Sequence, residues 1–296
     1  MRYLESFTLP TDSKEMEFMF GLNSLDSTCN SQTNAYPFWI FPRKGLEKLE
    51  FAPITIFCGK NGSGKSTLLN VISEKLGLKR NTLFNRSLMF DDYVNLCRYK
   101  LDEKCRFLPE ESEIITSDGV FDFLLDIRAM NGNIDKKREK LIDEYVTIRK
   151  EQGWVMKSLD DYEELKRRNE ARQRSRSEYV SRRFDIHESP MSSNGESAYS
   201  YFTNKINENA LYLLDEPENS LSSSLQRELA AFIENSARFF NCQFVISTHS
   251  PFLMSIKNAR IYDLDEYPAS VRKWTEISHV RAYYEFFRDH AEEFEN

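Results

Sequence analysis

The chain has 296 residues, of which 40% are hydrophobic and 29% charged, and its formal net charge is −7. This composition is typical of a globular protein with one large domain, or with a core domain that carries an insertion. The net charge excludes a protein that is basic over its whole surface, and no apolar run reaches the roughly 18–20 residues that span a membrane. The N-terminus lacks the basic and apolar layout of a signal peptide, so we expect a cytoplasmic protein with no intrinsic membrane segment.

The elements before residue 80 are predicted to be short strands and one helix. MRYLESFTL, MEFMFGL and YPFWIFP show the alternation of apolar residues that is typical of strands. A further buried strand is predicted at Ile54, Ile56 and Cys58. It leads into a glycine-rich turn, after which Ser66 to Leu76 are predicted to form a helix that ends at Gly77.

The glycine-rich turn has the spacing of a phosphate-binding loop. Residues 59–66 read GKNGSGKS and fit the pattern G-x-x-x-x-G-K-[ST]. Glycines let backbone N–H groups approach phosphates closely, and the following helix directs its positive N-terminal end at the same anion. Lys65 is predicted to bridge the β- and γ-phosphates, and Ser66 to ligate Mg²⁺. The predicted nucleotide-binding residues of this loop are Gly59, Asn61, Gly62, Ser63, Gly64, Lys65, Ser66 and Thr67.

Residues 80–189 differ in character from the segments on either side. TSDGVFDFLLDIR predicts a helix near its start, and NGN at 131–133 predicts a loop before a second helix. A third helix is predicted over 162–184. It contains the basic segment, residues 166–183, which has eight Lys or Arg against two Glu and is expected to have no acidic partners. Such a run suits nucleic acid, an acidic partner protein or plain solvent, and the sequence does not distinguish these three.

After residue 190 the alternation of helices and strands returns. A helix is predicted after SSNGES at 192–197 and a strand at LYLLD, followed by a helix and the strand CQFVIST. A tail of helix and strand is predicted next, with one amphipathic helix after residue 275. The chain is therefore predicted to form an α/β core from 1–79 and 190–296, with a mixed or parallel sheet. Residues 80–189 are predicted to be an inserted helical lobe.

Acidic and histidine side chains follow two of the predicted strands. Asp215 ends the strand LYLLD, where it can hold Mg²⁺. Glu216, the next residue, is predicted to be the general base for an attacking water. His249 follows CQFVIST and is predicted to contact the γ-phosphate. Glu216 and His249 are thus the predicted catalytic residues, and Ser66 and Asp215 the predicted metal ligands.

The segment SSNGES at 192–197 is predicted to add a second phosphate-binding surface. Ser193 contributes a hydroxyl, and Gly195 contributes an unhindered backbone amide. The start of a helix that contains Glu196 adds a positive dipole end. All four motifs are therefore predicted to contact one nucleoside triphosphate, and we expect ATP and Mg²⁺ as ligands.

In these four motifs and their order, the chain resembles an ABC-type ATPase of the SMC-like group of soluble AAA-family ATPases. The resemblance implies that 59–67 is the Walker A loop, 192–196 the signature motif, 211–216 the Walker B strand and His249 the switch histidine. It also implies a P-loop NTPase fold and a head-to-tail homodimer in the ATP-bound state. In that dimer each signature motif closes on the Walker A loop of the other copy, and residues 218–222 form the dimer-contacting D-loop.

The chain departs from the family's pattern in its dimer-contacting motifs. The signature motif has Asn194 in place of a glycine and Glu196 in place of glutamine. Glutamate at that position is common in the SMC-like, non-transport branch. The D-loop ends in Ser222, where an aspartate is usual.

A second departure concerns the nucleotide pocket. No glutamine occurs between the Walker A loop and residue 151, so the usual Q-loop ligand is missing. Ser117 or Asp118 is the candidate for its contact. For stacking on the adenine, the sequence offers Tyr36, Phe38 and Trp39 without distinguishing them.

These features predict an ATP-hydrolysing switch in which ATP closes a homodimer and hydrolysis reopens it. The motion of its helical lobe would act on DNA through residues 166–183, or on a separate effector protein. By the resemblance, the setting is DNA repair or anti-phage defence. The alternatives are the nucleotide-binding subunit of a membrane ABC transporter and a non-hydrolysing ATP-sensing scaffold. Glu196 and the missing Q-loop glutamine argue against the first alternative, and Glu216 with His249 against the second.

Overall fold

The computed structural model describes residues 2–23, 35–151, 161–183 and 194–294. The chain forms two compact units, of which the first comprises Met1–Phe121 with Ser193–Asn296 and the second Asp122–Ser192. The second unit is thus inserted into the first. Within the described residues, no helix is both long enough and apolar enough to cross a membrane.

The first unit is built on a seven-stranded sheet. Its strands are β3 (Ile54–Cys58), β4 (Lys79–Arg80), β6 (Glu113–Thr116), β7 (Leu211–Asp215), β8 (Gln243–Ser247), β9 (Arg260–Asp263) and β10 (Ser270–Arg272). Their order is β10-β9-β3-β8-β7-β6-β4, and all neighbours are parallel except β9 and β10. Thr116, Asp215 and Ser247 lie side by side in the register, so the carboxyl ends of the parallel strands form one edge. The predicted α/β class with a mixed, mainly parallel sheet is confirmed.

A second sheet has three antiparallel strands, β1 (Leu4–Thr8), β2 (Lys48–Glu50) and β5 (Arg98–Leu101), with β1 in the centre. The buried amide of Gln243 ties β1 to the large sheet. Its Oε1 accepts the N–H groups of Tyr3 at 2.7 Å and Leu4 at 2.8 Å. Its Nε2 donates to the carbonyl oxygens of Leu4 at 2.9 Å and Ala52 at 3.1 Å, so every polar atom of this buried side chain is satisfied.

The helices of the first unit begin with α2 (Lys65–Leu76), which packs against β7 and β8. Its end at Gly77, which has φ 64°, agrees with the prediction from the sequence. The other helices of this unit are α1 (Asp12–Asn23), α3 (Phe90–Leu96), α7 (Asn194–Lys205), α8 (Ser223–Phe239), α9 (Pro251–Met254) and α10 (Ser278–Asp289).

The second unit contains most of α4 (Ser117–Lys150) together with α5 (Tyr162–Gln173) and α6 (Arg176–Arg183). Its small core buries Tyr145, Ile148, Ala171 and Tyr179 together. The hydroxyl of Tyr179 donates to Oε1 of Glu144 at 2.8 Å, and that of Tyr145 donates to the carbonyl oxygen of Arg174 at 3.1 Å. These bonds tie α4 to α5 and α6 and satisfy the tyrosine hydroxyls.

The compact units do not begin where the sequence analysis placed the helical lobe. Residues 80–121 contribute the end of β4, α3, β5 and β6 to the first unit. β6 is an apolar strand held between β4 and β7, and Ile114 and Ile115 are buried there. The cut between the units therefore falls after Phe121 rather than at residue 79.

Two N-terminal segments that were predicted as strands form other structures. MEFMFGL lies in α1, because Thr11 precedes an acidic first turn and its Oγ1 accepts the N–H of Lys14 at 3.4 Å. YPFWIFP forms turns and a short 3₁₀ helix at Pro42–Lys44, since Pro37 and Pro42 have no N–H for a strand ladder. Helix capping and proline thus override the apolar alternation.

Two predictions about the helical lobe were also wrong. The chain does not form a loop at 131–133, because α4 continues through it as one helix of 34 residues. A glycine inside a helix lowers helix stability by only about 1 kcal/mol relative to alanine, and the helical turns before and after Gly132 outweigh this loss. The helix predicted over 162–184 is divided before α6. Ser175 Oγ accepts the N–H of Glu178 at 3.3 Å, and Glu178 Oε2 accepts the N–H of Ser175 at 3.2 Å, which is a capping box that starts a new helix.

Candidate functional site

The glycine-rich turn connects β3 to α2 at the carboxyl edge of the parallel strands. Gly59, Gly62 and Gly64 have φ values of 147°, 78° and 93°, in the region that side chains disfavour. A Cβ atom on Gly59 would lie 2.7 Å from Oγ of Ser63. The backbone of the loop therefore requires glycine at these positions.

Lys65 begins α2, and its side chain lies inside the loop, with 4% of the residue exposed. Nζ donates to the carbonyl oxygens of Gly59 at 2.9 Å and Lys60 at 3.3 Å. It also lies 2.8 Å from Nε2 of His249, and because an ammonium group only donates, that nitrogen accepts. Burial lowers the pKa of Lys65, while nearby carboxylates, Glu216 foremost, oppose the shift. The loop thus encloses a desolvated positive charge whose internal partners a phosphate can replace.

Ser66, Asp215 and Ser247 meet at the same edge of the sheet. Oγ of Ser66 donates to Oδ1 of Asp215 at 3.0 Å, and the hydroxyl of Ser247 donates to the same oxygen. Burial raises the pKa of Asp215, and the two hydroxyl groups act in the opposite direction. A hydroxyl and a carboxylate beside a phosphate pocket are the protein ligands that Mg²⁺ accepts, so the predicted pair fits that ion.

Glu216 lies beside His249 in a strained backbone conformation. Its φ is 48°, a left-handed value that costs a residue with a side chain about 1–2 kcal/mol. Oε1 lies 3.5 Å from Nε2 of His249, and Oε2 accepts a hydrogen bond from Nδ2 of Asn219 at 3.1 Å. Burial, and then the charge of Lys65, lowers the pKa of His249, so its imidazole is neutral near pH 7. Lys65, Glu216 and His249 thus form one polar group in front of the loop.

The two ends of the segment 218–222 have separate structural roles. Oε1 of Glu218 accepts the N–H of His249 at 2.5 Å, and burial raises the pKa of this carboxyl group. Glu218 therefore positions His249 from within the site. Ser222 caps α8, because its Oγ accepts the N–H of Leu225 at 3.4 Å. Serine and aspartate are both good N-caps, which explains why serine is accepted at this position.

The signature segment is described only from Asn194 onward, and Ser193 lies outside the described residues. α7 begins at Asn194, and Glu196 is exposed in its first turn. A Cβ atom on Gly195 would lie 3.0 Å from Cδ1 of Leu225. Gly195 thus lets α7 approach the start of α8 closely, in addition to its predicted phosphate contact.

Two adjoining cavities open in front of the loop. The smaller, of about 330 Å³, is lined by Asn61, Gly62, Gly64, Lys65, Ser66, Thr67 and Glu216. The larger, of about 550 Å³, is lined by Tyr36, Ser66, Thr67, Asn70, Arg80, Leu83, Phe84, Asn85, Thr116, Ser117, Asp118, Asp215 and Glu216. Both volumes are in the range of small-molecule sites, about 300–1,000 Å³. Of the signature segment, the described residues Asn194, Gly195 and Glu196 line neither cavity.

Of the three aromatic residues that were candidates for stacking on the adenine, one lines the larger cavity. Tyr36 lines it, and its hydroxyl donates to Oγ1 of Thr67 at 2.9 Å. Phe38 is buried in the hydrophobic core, and Trp39 packs against that core. Ser117 and Asp118, the candidates for the Q-loop contact, both line the cavity, so the structure does not separate them.

Two residues near the site were not found from the sequence. Asp265 accepts the N–H of Lys60 with both carboxylate oxygens, each at 2.9 Å, and so anchors the start of the loop. His279, on α10, has its ring centre 6.3 Å from that of His249, and burial lowers its pKa. Both follow the last motif and belong to no recognised spacing. In the structure, Asp265 lies two residues after the end of β9, and no motif in the sequence marks it.

Two family models match the chain. A model described as ABC transporter matches residues 48–219, which is more than half of the chain. A model described as AAA ATPase domain matches residues 190–254. Among curated proteins, no sequence matches the chain.

The chain is also similar to solved structures at low identity. An SMC head domain from Thermotoga maritima has 13% identity and a TM-score of 0.38, over 92% of this chain and 99% of that one. An Smc head domain with an extended coiled coil from Pyrococcus furiosus, bound to the C-terminal domain of ScpA, has 16% identity and a TM-score of 0.42, over 98% and 100%. A dimeric bacterial ABC transporter cassette has 14% identity and a TM-score of 0.36, over 78% and 90%.

Proposed function

The chain belongs to the ABC ATPase family and is an ATPase, and from this premise we propose that it is an ATP-driven switch that closes as a head-to-tail homodimer. One observation carries the proposal. Lys65, Asp215 and Glu216 line the cavities of a single chain, whereas Gly195 and Glu196 line neither. A second copy can bring the signature segment to the open side of the nucleotide, which completes the site.

The residues of the loop have distinct roles in this proposal. Lys65 exchanges its carbonyl partners for the β- and γ-phosphates, and the loop N–H groups bind the same oxygens. Ser66 and Asp215 would hold Mg²⁺, and the ion would neutralise charge on the phosphates. The hydroxyl of Ser247 donates to Oδ1 of Asp215 and so keeps this carboxylate oriented.

Glu216 and His249 act on the attacking water and the γ-phosphate. Glu216 accepts the proton of the water, and Asn219 holds the other carboxylate oxygen. When Lys65 turns to the phosphates, Nε2 of His249 loses that donor. In the tautomer that carries the proton on Nε2, this atom then donates to a γ-phosphate oxygen or to Oε1 of Glu216. Glu218 fixes the backbone of His249 throughout.

The basic segment, residues 166–183, is partly neutralised within the second unit. Arg167 pairs with Glu144 at 3.2 Å and with Glu164. Arg168 pairs with Glu164 and Glu151, both at 2.7 Å. The expectation that the segment has no acidic partners was therefore wrong, because α4, the residue after its end and the start of α5 supply them.

Three cations of the segment have no such carboxylate partner, and we propose that they contact duplex DNA. Lys166, Arg172 and Arg176 are exposed, and no carboxylate of the described residues forms an ion pair with them. Exposed cations without acidic partners suit phosphate groups. With the resemblance to SMC-like ATPases, this supports a cytoplasmic role in DNA repair or anti-phage defence, with DNA or a separate effector protein as the target of the switch.

Duplex DNA is expected to stimulate ATP hydrolysis by the purified protein, and the stimulation should fall as salt is added. The variant Lys166→Glu/Arg172→Glu/Arg176→Glu should lose this stimulation and keep the basal rate. Lys14→Glu/Lys257→Glu, which reverses two exposed lysines outside the segment, is the control and should keep it. Hydrolysis that is the same with and without DNA would contradict the DNA contact and favour a protein effector.

A second candidate function is the nucleotide-binding subunit of a membrane transporter. It is favoured by the description of the family model that matches 48–219. Glu196 in the signature motif and the absence of a Q-loop glutamine weigh against it. Recovery of the protein with membranes and a membrane-protein partner would support this function over the DNA-coupled one.

A further inference from the structure

A second histidine lies beside His249, on a helix that the proposed mechanism does not use. His279 is the second residue of α10, and its ring centre is 6.3 Å from that of His249. The core fixes the start of this helix, because Ile277 and Val280, which flank His279, are both buried. His279 is therefore held next to the histidine that is predicted to contact the γ-phosphate.

The Nε2 atom of His279 is available for a hydrogen bond. It is buried, and it forms no hydrogen bond with any residue that the structure describes. Burial, and then the neighbouring His249, lowers the pKa of His279. Asp263 and Asp265 oppose this shift, and Lys65 adds to it. His279 is thus neutral near pH 7, with one donor and one acceptor nitrogen, and a buried nitrogen without a partner is costly.

His249 has a ring nitrogen that can be the partner. In the described part of the chain, its ring is engaged through Nε2, which accepts from Nζ of Lys65 at 2.8 Å and lies 3.5 Å from Oε1 of Glu216. A neutral imidazole whose Nε2 accepts carries its proton on Nδ1. Donation from Nε2 to a γ-phosphate oxygen requires the other tautomer, in which Nδ1 is an acceptor. Contact with the γ-phosphate therefore requires an exchange of tautomers at His249.

We propose that His279 is a positioning residue, whose Nε2 donates to Nδ1 of His249 and so holds His249 in the tautomer that donates to the γ-phosphate. The hydrogen bond at one nitrogen of an imidazole decides what the other nitrogen can do. The exchange moves one proton of His249 from Nδ1 to Nε2 through solvent, and the ring stays neutral. The inference rests on the proposed function, since it requires ATP at Lys65.

The two rings must approach each other for this bond to form. Imidazoles joined by a hydrogen bond of about 2.9 Å have ring centres about 5 Å apart, so the observed 6.3 Å leaves a gap of about 1 Å. Lys65 holds the ring of His249 in the structure. When Lys65 turns to the phosphates, rotation of the His249 side chain closes the gap. Glu218 keeps the backbone of His249 in place meanwhile, because its Oε1 accepts the N–H of His249.

His290 provides a matched control on the same helix. It lies at the C-terminal end of α10, where its Nδ1 is 2.9 Å from the carbonyl oxygen of Phe286. Replacement of His290 removes an imidazole from α10 at the end away from His249. Loss of the nitrogen next to His249 is therefore specific to the His279 variants.

The test measures kcat, KM and thermal denaturation for His279→Phe, His279→Gln and His290→Phe. His279→Phe keeps a planar ring without nitrogen, and it is expected to lower kcat by about tenfold, the effect of one lost hydrogen bond. KM should stay within about twofold, since Lys65 and the loop N–H groups supply most of the binding. His279→Gln should recover most of the loss in kcat, because its amide also donates. His290→Phe should stay within about twofold of wild type in both constants.

A second readout reports the tautomer of His249 itself, which a purely structural role of His279 would not change. The chain has four histidines, and ¹⁵N NMR distinguishes a ring nitrogen that carries a proton from one that does not. With Mg²⁺ and a non-hydrolysable ATP analogue, Nε2 of His249 should carry the proton in wild type and in His279→Gln. A mixture of tautomers is expected in His279→Phe.

Wild-type kcat or an unchanged tautomer in His279→Phe would overturn the inference, as would an equal loss of kcat in His279→Gln or in His290→Phe. A wild-type His249 that keeps its proton on Nδ1 with the analogue bound would also overturn it, and this measurement decides the matter if His279→Phe does not fold. In each of these cases ATP still binds, and the proposed function stands. A wild-type protein that binds no ATP would overturn the proposed function and this inference with it.

Discussion

Replacing Glu216 with Gln is expected to lower the rate of ATP hydrolysis by at least about 10²-fold and to leave ATP binding intact. General bases contribute about 10²–10⁴-fold, and an amide cannot take the proton of the attacking water. The replacement has the same shape, and it keeps an oxygen acceptor that Nδ2 of Asn219 can reach. The backbone of Glu216, which has φ 48°, is retained as well.

Phosphate release at saturating ATP and Mg²⁺ measures this loss, and a separate nucleotide-binding titration shows that the site is intact. Glu208→Gln, the same change at an exposed position before β7, is the control and should hydrolyse ATP at the wild-type rate. Hydrolysis by Glu216→Gln within about tenfold of wild type would show that another group is the base. A loss in both variants would show that the change acts through the fold.

Lys65→Ala is expected to weaken ATP binding by about 10²-fold or more. Lys65 is the cation at the centre of the loop, and a hydrogen bond to a charged group contributes about 1.5–3 kcal/mol, several of which would be lost together. The variant also leaves the carbonyl oxygens of Gly59 and Lys60 without their ammonium partner. Some loss of thermal stability should therefore accompany the loss of binding.

Lys60→Ala is the matched control, because Lys60 is an exposed lysine of the same loop whose backbone N–H donates to Asp265. Its substitution should change ATP affinity by less than about threefold. Affinities from fluorescence or calorimetric titration with ATP and Mg²⁺ separate the two variants. Equal losses in both, or tight binding by Lys65→Ala, would contradict the role of Lys65.

Much of the site was predictable because its residues follow local steric and chemical rules. A loop that wraps an anion needs left-handed backbone, which explains Gly59, Gly62 and Gly64. The carboxyl ends of parallel strands lie at one edge of a sheet, so Asp215 and Glu216 after one strand and His249 after the next can lie close together. The structure brings Lys65, Glu216 and His249 together, and their catalytic roles stay predictions.

Other site residues were not predictable, because nothing local distinguishes them. Asp265 reaches Lys60 across more than two hundred residues of chain, through the pairing of β9 with β3. Arg80 is one basic residue among several in its segment, and only the place of β4 in the sheet brings it to the cavity. The resemblance placed Glu218 only in the dimer-contacting D-loop, and its contact with the backbone of His249 depends on the tertiary fold.

The wrong predictions of secondary structure arose where two short sequence patterns favoured different structures. Apolar alternation in MEFMFGL suggested a strand, but the cap at Thr11 and the acidic turn after it start α1. The capping box of Ser175 and Glu178 divides α5 from α6, although helix-forming residues lie on both sides. In both places the residue that starts a helix was more informative than the pattern around it.

The central claim is that ATP joins two copies of this chain, and the molar mass of Glu216→Gln in solution tests it most directly. Light scattering after size exclusion, with and without ATP and Mg²⁺ at a concentration that saturates Glu216→Gln, gives that mass. Lys65→Ala, whose affinity for ATP is expected to be much lower, serves as the control. The account predicts twice the protomer mass for Glu216→Gln with ATP and the single mass without it, and the single mass for Lys65→Ala in both conditions. A monomeric Glu216→Gln protein at saturating ATP, with nucleotide shown to be bound, would contradict the claim.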